Sequence, residues 1–120
     1  MGSEMCIRDR FTDAFIKSYP EVVENRLKQV IETDKDIFLN VFRIYAGTEM
    51  QPWLHKVKTP ALVLTGENDG GCNPRLNKLI AEALQNSELL ILPELKHSIL
   101  LEAGDKVAEH LVGFIQKVPD

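Results

Sequence analysis

Asp69 and His97 are the two residues of this sequence whose types and positions could act together in catalysis. Each stands in a loop that follows a short apolar run, residues 61–65 before Asp69 and residues 89–92 before His97. A carboxylate that accepts one N–H of a histidine orients the ring, so that the other ring nitrogen can take a proton from a nucleophile. The pair therefore has the chemistry of the acid and the base of a hydrolytic triad.

The two apolar runs predict parallel strands. They are short and continuous, as in strands that are buried on both faces of a sheet. A helix fits the segment between them, because Asn73 can N-cap it and Pro74 suits its first position. A strand–helix–strand crossover makes its two strands parallel, so the loops of Asp69 and His97 leave the same edge of the sheet. Catalytic groups gather at that edge, where the two side chains can meet if the strands are neighbours.

Residues 11–49 predict two or three amphipathic helices. Pro20 suits a first helical position, and Asp34 is a candidate N-cap. The apolar positions of these helices are Val23, Leu27, Val30 and Ile31, followed by Phe38, Val41, Phe42 and Tyr45. An aromatic stripe at helical spacing is typical of core packing, which we expect here.

Residues 1–10, MGSEMCIRDR, differ from the rest of the sequence. They show neither helical nor strand periodicity and place an isolated cysteine among charged residues. They resemble a translated adaptor or assembly artefact, and we predict that they are not native to the protein. On that prediction the native protein continues upstream of Phe11 and this chain is truncated. The alternative is a disordered native terminus.

The composition excludes several classes of function. A hydrophobic fraction of 44% is ordinary for a globular domain, and the net charge of −4 argues against binding nucleic acid, which needs a basic face. No apolar run approaches the roughly 20 residues that span a bilayer, and no apolar signal region is present. Cys6 and Cys72 form no disulfide framework, which favours a reduced, cytoplasmic setting. Nothing in the sequence indicates an oligomeric state.

Nucleotide and metal sites are not indicated either. Gly66 and Gly71 follow the first strand, but no P-loop lysine and no G-x-G-x-x-G pattern accompanies them. The acidic Glu67 beside them would repel phosphate. His55 and His110 are expected at the surface, and no H-E-x-x-H motif, Cys/His cluster or calcium loop is present. We therefore expect no metal and no organic cofactor.

Three further polar residues close to the pair in the sequence are not assigned to catalysis. Glu67 is interpreted as a solvated loop charge, and Glu102 as a residue that supports the histidine loop or caps a helix. Cys72 follows the glycines near a helix start, where a thiolate could be stabilised, but no reactive role is predicted for it.

The C-terminal half resembles α/β-hydrolase-fold enzymes. Leu54, Val57 and Pro60, followed by Leu-Val-Leu-Thr-Gly-Glu-Asn-Asp, resemble the strand and acid loop of that family. Leu-Lys-His-Ser-Ile-Leu-Leu-Glu resembles its histidine loop. The order along the chain in this family is nucleophile, acid, histidine, so the resemblance implies that Asp69 is the catalytic acid and His97 the base.

The resemblance also implies a fold and a reaction. The expected fold class is α/β, as the C-terminal portion of an α/β-hydrolase fold. Residues 51–120 would form parallel strands alternating with helices, with residues 105–117 as the final helix, preceded by cap-like helices over residues 11–50. The implied reaction is hydrolysis of a small-molecule substrate, by family frequency an ester or a lactone, through a covalent intermediate.

The nucleophile of the triad is missing from the sequence. No G-x-S-x-G elbow occurs, and Ser98 directly follows His97, too close in the chain for a productive reach. We therefore expect this chain alone to have no hydrolytic activity. The alternative is a hydrolase-like module that has lost catalysis and serves binding. Lys96 favours that alternative, because the family usually has glycine immediately before the histidine.

Overall fold

The computed structural model describes residues 6–118 as two strands surrounded by helices. The order is α1 (Asp13–Ser18), α2 (Pro20–Glu32), α3 (Lys35–Gly47), α4 (Gln51–Leu54), β1 (Ala61–Gly66), α5 (Pro74–Ala83), β2 (Ser87–Leu92), α6 (Ile99–Glu102) and α7 (Gly104–Lys117). Residues 6–8 are also helical. No helix of the described range has the length and apolar character needed to cross a membrane.

The predicted strand–helix–strand unit is confirmed. β1 and β2 pair in parallel, with Ala61 opposite Ser87 and Gly66 opposite Leu92. β2 begins two residues before the apolar run, since Ser87 and Glu88 continue the ladder although they are polar. Both strands therefore end level with each other, and the loops that follow them emerge side by side.

Local capping signals set the helix starts as predicted. The Asn73 side chain accepts the N–H of Leu76 at 3.0 Å, immediately before Pro74 opens α5. The Asp34 carboxylate accepts the N–H groups of Asp36 and Ile37 at the start of α3. These caps satisfy N–H groups that have no partner inside the helix.

A small apolar cluster joins α2 to the residues before α1. Phe11 and Val23 are almost fully buried, and Ile7 and Leu27 complete the cluster. Ile7 belongs to the segment that the sequence marks as foreign, of which residues 1–5 lie outside the described residues. Its packing does not test the origin of that segment, which stays a prediction.

The expected core packing of the aromatic stripe on α3 is wrong for the described chain. Phe38 is 53% exposed, Phe42 55% and Tyr45 74%. Phe38 and Phe42 stack on each other, with ring centroids 6.4 Å apart. Ile31, expected on the inner face of α2, is also exposed. These side chains are therefore open to solvent over the described residues 6–118.

Candidate active site

The acid loop begins where β1 ends and turns tightly around the carboxylate of Asp69. Asp69 Oδ1 accepts the backbone N–H groups of Gly71 and Cys72, both at 2.9 Å. The residue is only 6% exposed. An aspartate that bonds to the backbone two and three residues ahead is a local turn device, so the sequence itself fixes this carboxylate.

Gly66 allows the histidine loop to cross the end of β1. A Cβ atom on Gly66 would lie 2.1 Å from the carbonyl oxygen of Lys96 and 2.5 Å from that of Leu95. The N–H of Asn68 donates to Leu95 O at 2.9 Å, which ties the acid loop to the histidine loop. Such a close approach of two backbone segments requires glycine. The approach also sets the position of His97, the residue after Lys96.

A second pair of contacts joins the two loops on their outer side. The N–H of Glu67 donates to Leu92 O, and the Glu67 carboxylate accepts the N–H of Glu94, both at 2.9 Å. Glu67 is exposed, which agrees with its interpretation as a solvated charge. Its carboxylate also stabilises this turn. Glu94 is the one non-glycine residue with positive φ among residues 6–118. Lys96 therefore has a negative φ, which a lysine adopts without strain.

These two loops bring Asp69 and His97 into contact. His97 Nδ1 lies 2.8 Å from Asp69 Oδ2. The side chain of Asp69 is 5% exposed, whereas that of His97 is 39% exposed. The tautomer that carries its N–H on Nδ1 donates it to the carboxylate and presents Nε2 for proton transfer.

The environment keeps Asp69 ionised. Burial alone would raise the pKa of this carboxyl group, since it disfavours the charged form. The hydrogen bond with His97 and those from the N–H groups of Cys72 and Gly71 outweigh burial, so the pKa of Asp69 lies below its ordinary value. The carboxylate is thus the acceptor that a neutral or protonated imidazole needs at neutral pH.

Two buried polar residues that the sequence reading missed hold the acid turn from behind. Thr65 Oγ1 in β1 and Asn77 Nδ2 in α5 both donate to the carbonyl of Cys72, at 2.8 and 2.6 Å. Thr65 and Asn77 are 3% and 8% exposed. The sequence contains a signal for each of them. Thr65 is a polar residue at the end of an apolar strand, and Asn77 is an amide four residues after the Asn73 cap.

Glu102 ties the histidine segment to the helical half of the chain. Its Oε1 accepts both the N–H and the hydroxyl of Thr12, at 2.8 and 2.7 Å, and Thr12 Oγ1 in turn caps α1 at Phe15. Directly after His97, the N–H of Ser98 donates to the carbonyl of Arg10. Both ends of α6 are therefore anchored on residues 10–12.

The pair opens on a cleft between the loops and α3. The cleft has a volume of about 660 Å³, and its wall includes Phe38, Phe42, Tyr45, Asp69, Cys72 and His97. The aromatic stripe thus faces the candidate site across open space. His55 and His110, predicted at the surface, are exposed and lie on other parts of the chain.

No protein-family model matches the chain. A proline iminopeptidase of Pestalotiopsis fici is 30% identical over 64 residues, which is 53% of this chain and 23% of that protein.

Two solved structures superpose on nearly the whole chain. The enol-lactonase of Burkholderia xenovorans LB400 does so with a TM-score of 0.89 and 21% identity, over 95% of this chain and 44% of its own. A thermophilic esterase of Thermogutta terrifontis gives 0.83 and 18%, over 96% and 43%. The chain spans less than half the length of either structure.

Proposed function

We propose that this chain, which has the fold of the C-terminal portion of an α/β hydrolase, supplies the acid and the base of a hydrolytic triad. The observation that carries the proposal is the 2.8 Å contact between Asp69 Oδ2 and His97 Nδ1 at the ends of two neighbouring parallel strands. In this proposal the nucleophile comes from outside these 120 residues, among which no G-x-S-x-G elbow occurs.

In this proposal His97 moves the protons and Asp69 holds the ring. Nε2 takes the proton of the nucleophile as that group attacks the substrate carbonyl, and then gives it to the leaving group. A water molecule, deprotonated by the same nitrogen, hydrolyses the covalent intermediate, and the imidazolium returns that proton to the released nucleophile. The lowered pKa of Asp69 keeps the carboxylate charged, so that it stabilises the imidazolium formed in each step.

The proposed substrate is a small ester or lactone. An enol-lactonase, an esterase and an N-acyl homoserine lactone degrading enzyme are among the structures with the same fold. The aromatic side chains of α3 that face the pair would pack against an apolar part of the substrate. Phe38 and Phe42 are the residues of that wall whose rings stack.

The chain on its own is proposed to be inactive. Ser98 is the one serine beside the pair, but it follows His97 directly and its N–H is bound to Arg10. A neighbour in the chain cannot approach Nε2 in the geometry that proton transfer needs. Turnover of an activated ester by this chain that disappears in the Ser98→Ala variant would contradict this part of the proposal.

The deciding experiment reads the source DNA upstream of the Phe11 codon and expresses the resulting intact protein. A strand, a G-x-S/D/C-x-G elbow and a helix are expected there. With a serine elbow, hydrolysis of a nitrophenyl ester should fall roughly 10⁴-fold in Asp69→Asn and at least as far in His97→Gln. His110→Gln is the matched control, since His110 is an exposed histidine on α7, and it should retain full activity.

Lys96 favours one second candidate, a hydrolase-like module that binds a ligand without turnover. Lysine stands where the resembled family has glycine, and its backbone forms the wall against Gly66. An upstream elbow without a nucleophilic residue, together with an intact protein that binds but does not hydrolyse lactones, would establish this candidate. A complete elbow with turnover that depends on His97 would exclude it.

A further inference from the structure

Cys72 lies beside the Asp69–His97 pair and completes a set of metal-ligating atoms. Asp69, Cys72 and His97 each offer one such atom, and the three atoms lie within 4.8 Å of one another. An oxygen, a sulfur and an imidazole nitrogen form a mixed donor set that suits zinc. We propose that these three side chains bind a divalent cation of the zinc class, with a fourth position open to the cleft.

The backbone of Cys72 is held in the same turn as the carboxylate of Asp69. The N–H of Cys72 donates to Asp69 Oδ1, and the Cys72 carbonyl accepts from the buried side chains of Thr65 and Asn77. The same turn therefore fixes both the thiol-bearing residue and the carboxylate. A site whose backbone is already ordered loses less conformational entropy when the ion binds.

Small side-chain rotations bring the three ligand atoms to bonding distance. Zinc binds sulfur, nitrogen and oxygen at about 2.0–2.3 Å, so tetrahedral ligand atoms lie roughly 3.3–3.8 Å apart. A pair of ligand atoms 4.8 Å apart must approach by about 1.0–1.5 Å to reach this range. Asp69 Oδ1 keeps its two backbone hydrogen bonds during this change, because Oδ2 is the oxygen that faces His97.

Charge and protons balance at the site. The Cys72 thiol loses its proton to solvent on binding, and His97 coordinates as the neutral ring. The thiolate and the Asp69 carboxylate then neutralise the two positive charges of the ion. Cys72 is exposed to the cleft, so the ion reaches the site without opening the fold.

Metal binding and proton transfer by His97 would exclude each other. A ring that coordinates through Nδ1 loses its hydrogen bond to Asp69, and one that coordinates through Nε2 loses the nitrogen that moves the proton. In the intact enzyme the ion would therefore be an inhibitor. This consequence rests on the proposed hydrolytic function, whereas binding of the ion does not.

The test titrates the reduced full chain with Co²⁺ and follows its visible and near-ultraviolet absorption. One Co²⁺ per chain should give the absorption spectrum of a tetrahedral site, with a thiolate charge-transfer band. Zn²⁺ should displace the bound Co²⁺, because zinc binds more tightly. Cys72→Ser should remove the charge-transfer band, and His97→Gln should weaken binding at least about tenfold.

Matched controls come from residues of the same type. Cys6→Ser tests the other cysteine, which lines the same cleft, and His110→Gln tests an exposed histidine elsewhere; both should leave the titration unchanged. Circular dichroism of Cys72→Ser and Cys72→Ala checks that the fold is retained. A wild-type chain without the band, or a band that survives Cys72→Ser and vanishes in Cys6→Ser, overturns the proposal. Because no activity is measured, either result is separate from the fate of the hydrolytic function.

Discussion

The two loops at the end of the sheet and the helix α3 are built in opposite ways. In the loops, backbone and buried side-chain groups bond to one another around Asp69, which is 6% exposed. In α3, a cap at Asp34 starts the helix, but its aromatic side chains stand in solvent. Short-range hydrogen bonds and the close approach of two backbone segments therefore hold the residues of the candidate site. The aromatic side chains that form the wall of the cleft are held mainly by α3, the helix that carries them.

This contrast indicates where changes to the sequence should matter. Hydrogen bonds contribute about 0.5–1.5 kcal/mol each, and a buried partner left without its bond loses more. Exposed apolar side chains contribute little to folding, because they remain in water. Substitutions at the loop crossing should thus be much more damaging than substitutions on α3, although both regions face the same cleft.

The largest effect is expected at Gly66. Gly66→Ala places a methyl group 2.1 Å from Lys96 O, a backbone atom that cannot move without displacing the histidine loop. We expect a loss of at least about 3 kcal/mol in the free energy of unfolding, measured by urea denaturation. Gly113→Ala is the control, since nothing lies within 4 Å of the added atom in α7 and alanine favours a helix. Equal stability of Gly66→Ala and the wild type would show that the loops do not cross as described.

A loss of about 1–3 kcal/mol at neutral pH is expected for Asp69→Asn, because the charged acceptor of the His97 N–H is removed. The pKa of Asp69 is lowered in the folded chain, so its stabilisation is present above the ordinary carboxyl pKa and is lost as the pH falls through the folded value. The wild type should therefore lose more stability than Asp69→Asn as the pH falls from about 5 to below the ordinary carboxyl pKa. Glu109→Gln, on the exposed side of α7, should keep the wild-type slope. If the free energy of unfolding depended on pH in the same way in the wild type and in Asp69→Asn, the inference that Asp69 is ionised and bonded to His97 would be contradicted.

A smaller effect is expected where the histidine segment is anchored on α1. Thr12→Ala removes the helix cap and one hydrogen bond to Glu102, and should destabilise the chain by about 1–2 kcal/mol. Thr33→Ala removes an exposed hydroxyl bond at the end of α2 and should change stability by less than about 0.5 kcal/mol. If the two variants unfold at the same urea concentration, Glu102 does not join the two halves.

The sequence predicted the elements of the site better than its contacts, for physical reasons. Asn73 and Pro74 start a helix through groups a few residues away, so the signal is local and the prediction is confirmed. The parallel pairing of β1 and β2 follows from one crossover and is confirmed as well. The clash that Gly66 avoids depends on a loop some 30 residues later in the chain, which no local pattern reveals.

The burial of α3 was mispredicted because periodicity identifies a face but not what covers it. Val23 and Phe42 stand on equally regular apolar faces, yet Val23 is 1% exposed and Phe42 55%. The hydrogen bonds of Thr65 and Asn77 were missed for a related reason, since they depend on β1 and α5 approaching the same carbonyl. The catalytic roles of Asp69 and His97 remain predictions that activity measurements must decide.

The smallest effect is expected on α3 itself. Phe42→Gln keeps a good helix former at a site that is 55% exposed, so the free energy of unfolding should change by less than about 0.5 kcal/mol. Val23→Ala, at a fully buried site, should lower the free energy of unfolding by about 2 kcal/mol. This variant gives the size of the loss expected when a packed core side chain is truncated. Phe42→Gln should also reduce self-association, measured by sedimentation, because contiguous exposed apolar side chains promote contacts between molecules. A loss in Phe42→Gln as large as that in Val23→Ala would mean that α3 packs against the rest of the chain in solution, and the contrast between the two regions would then disappear.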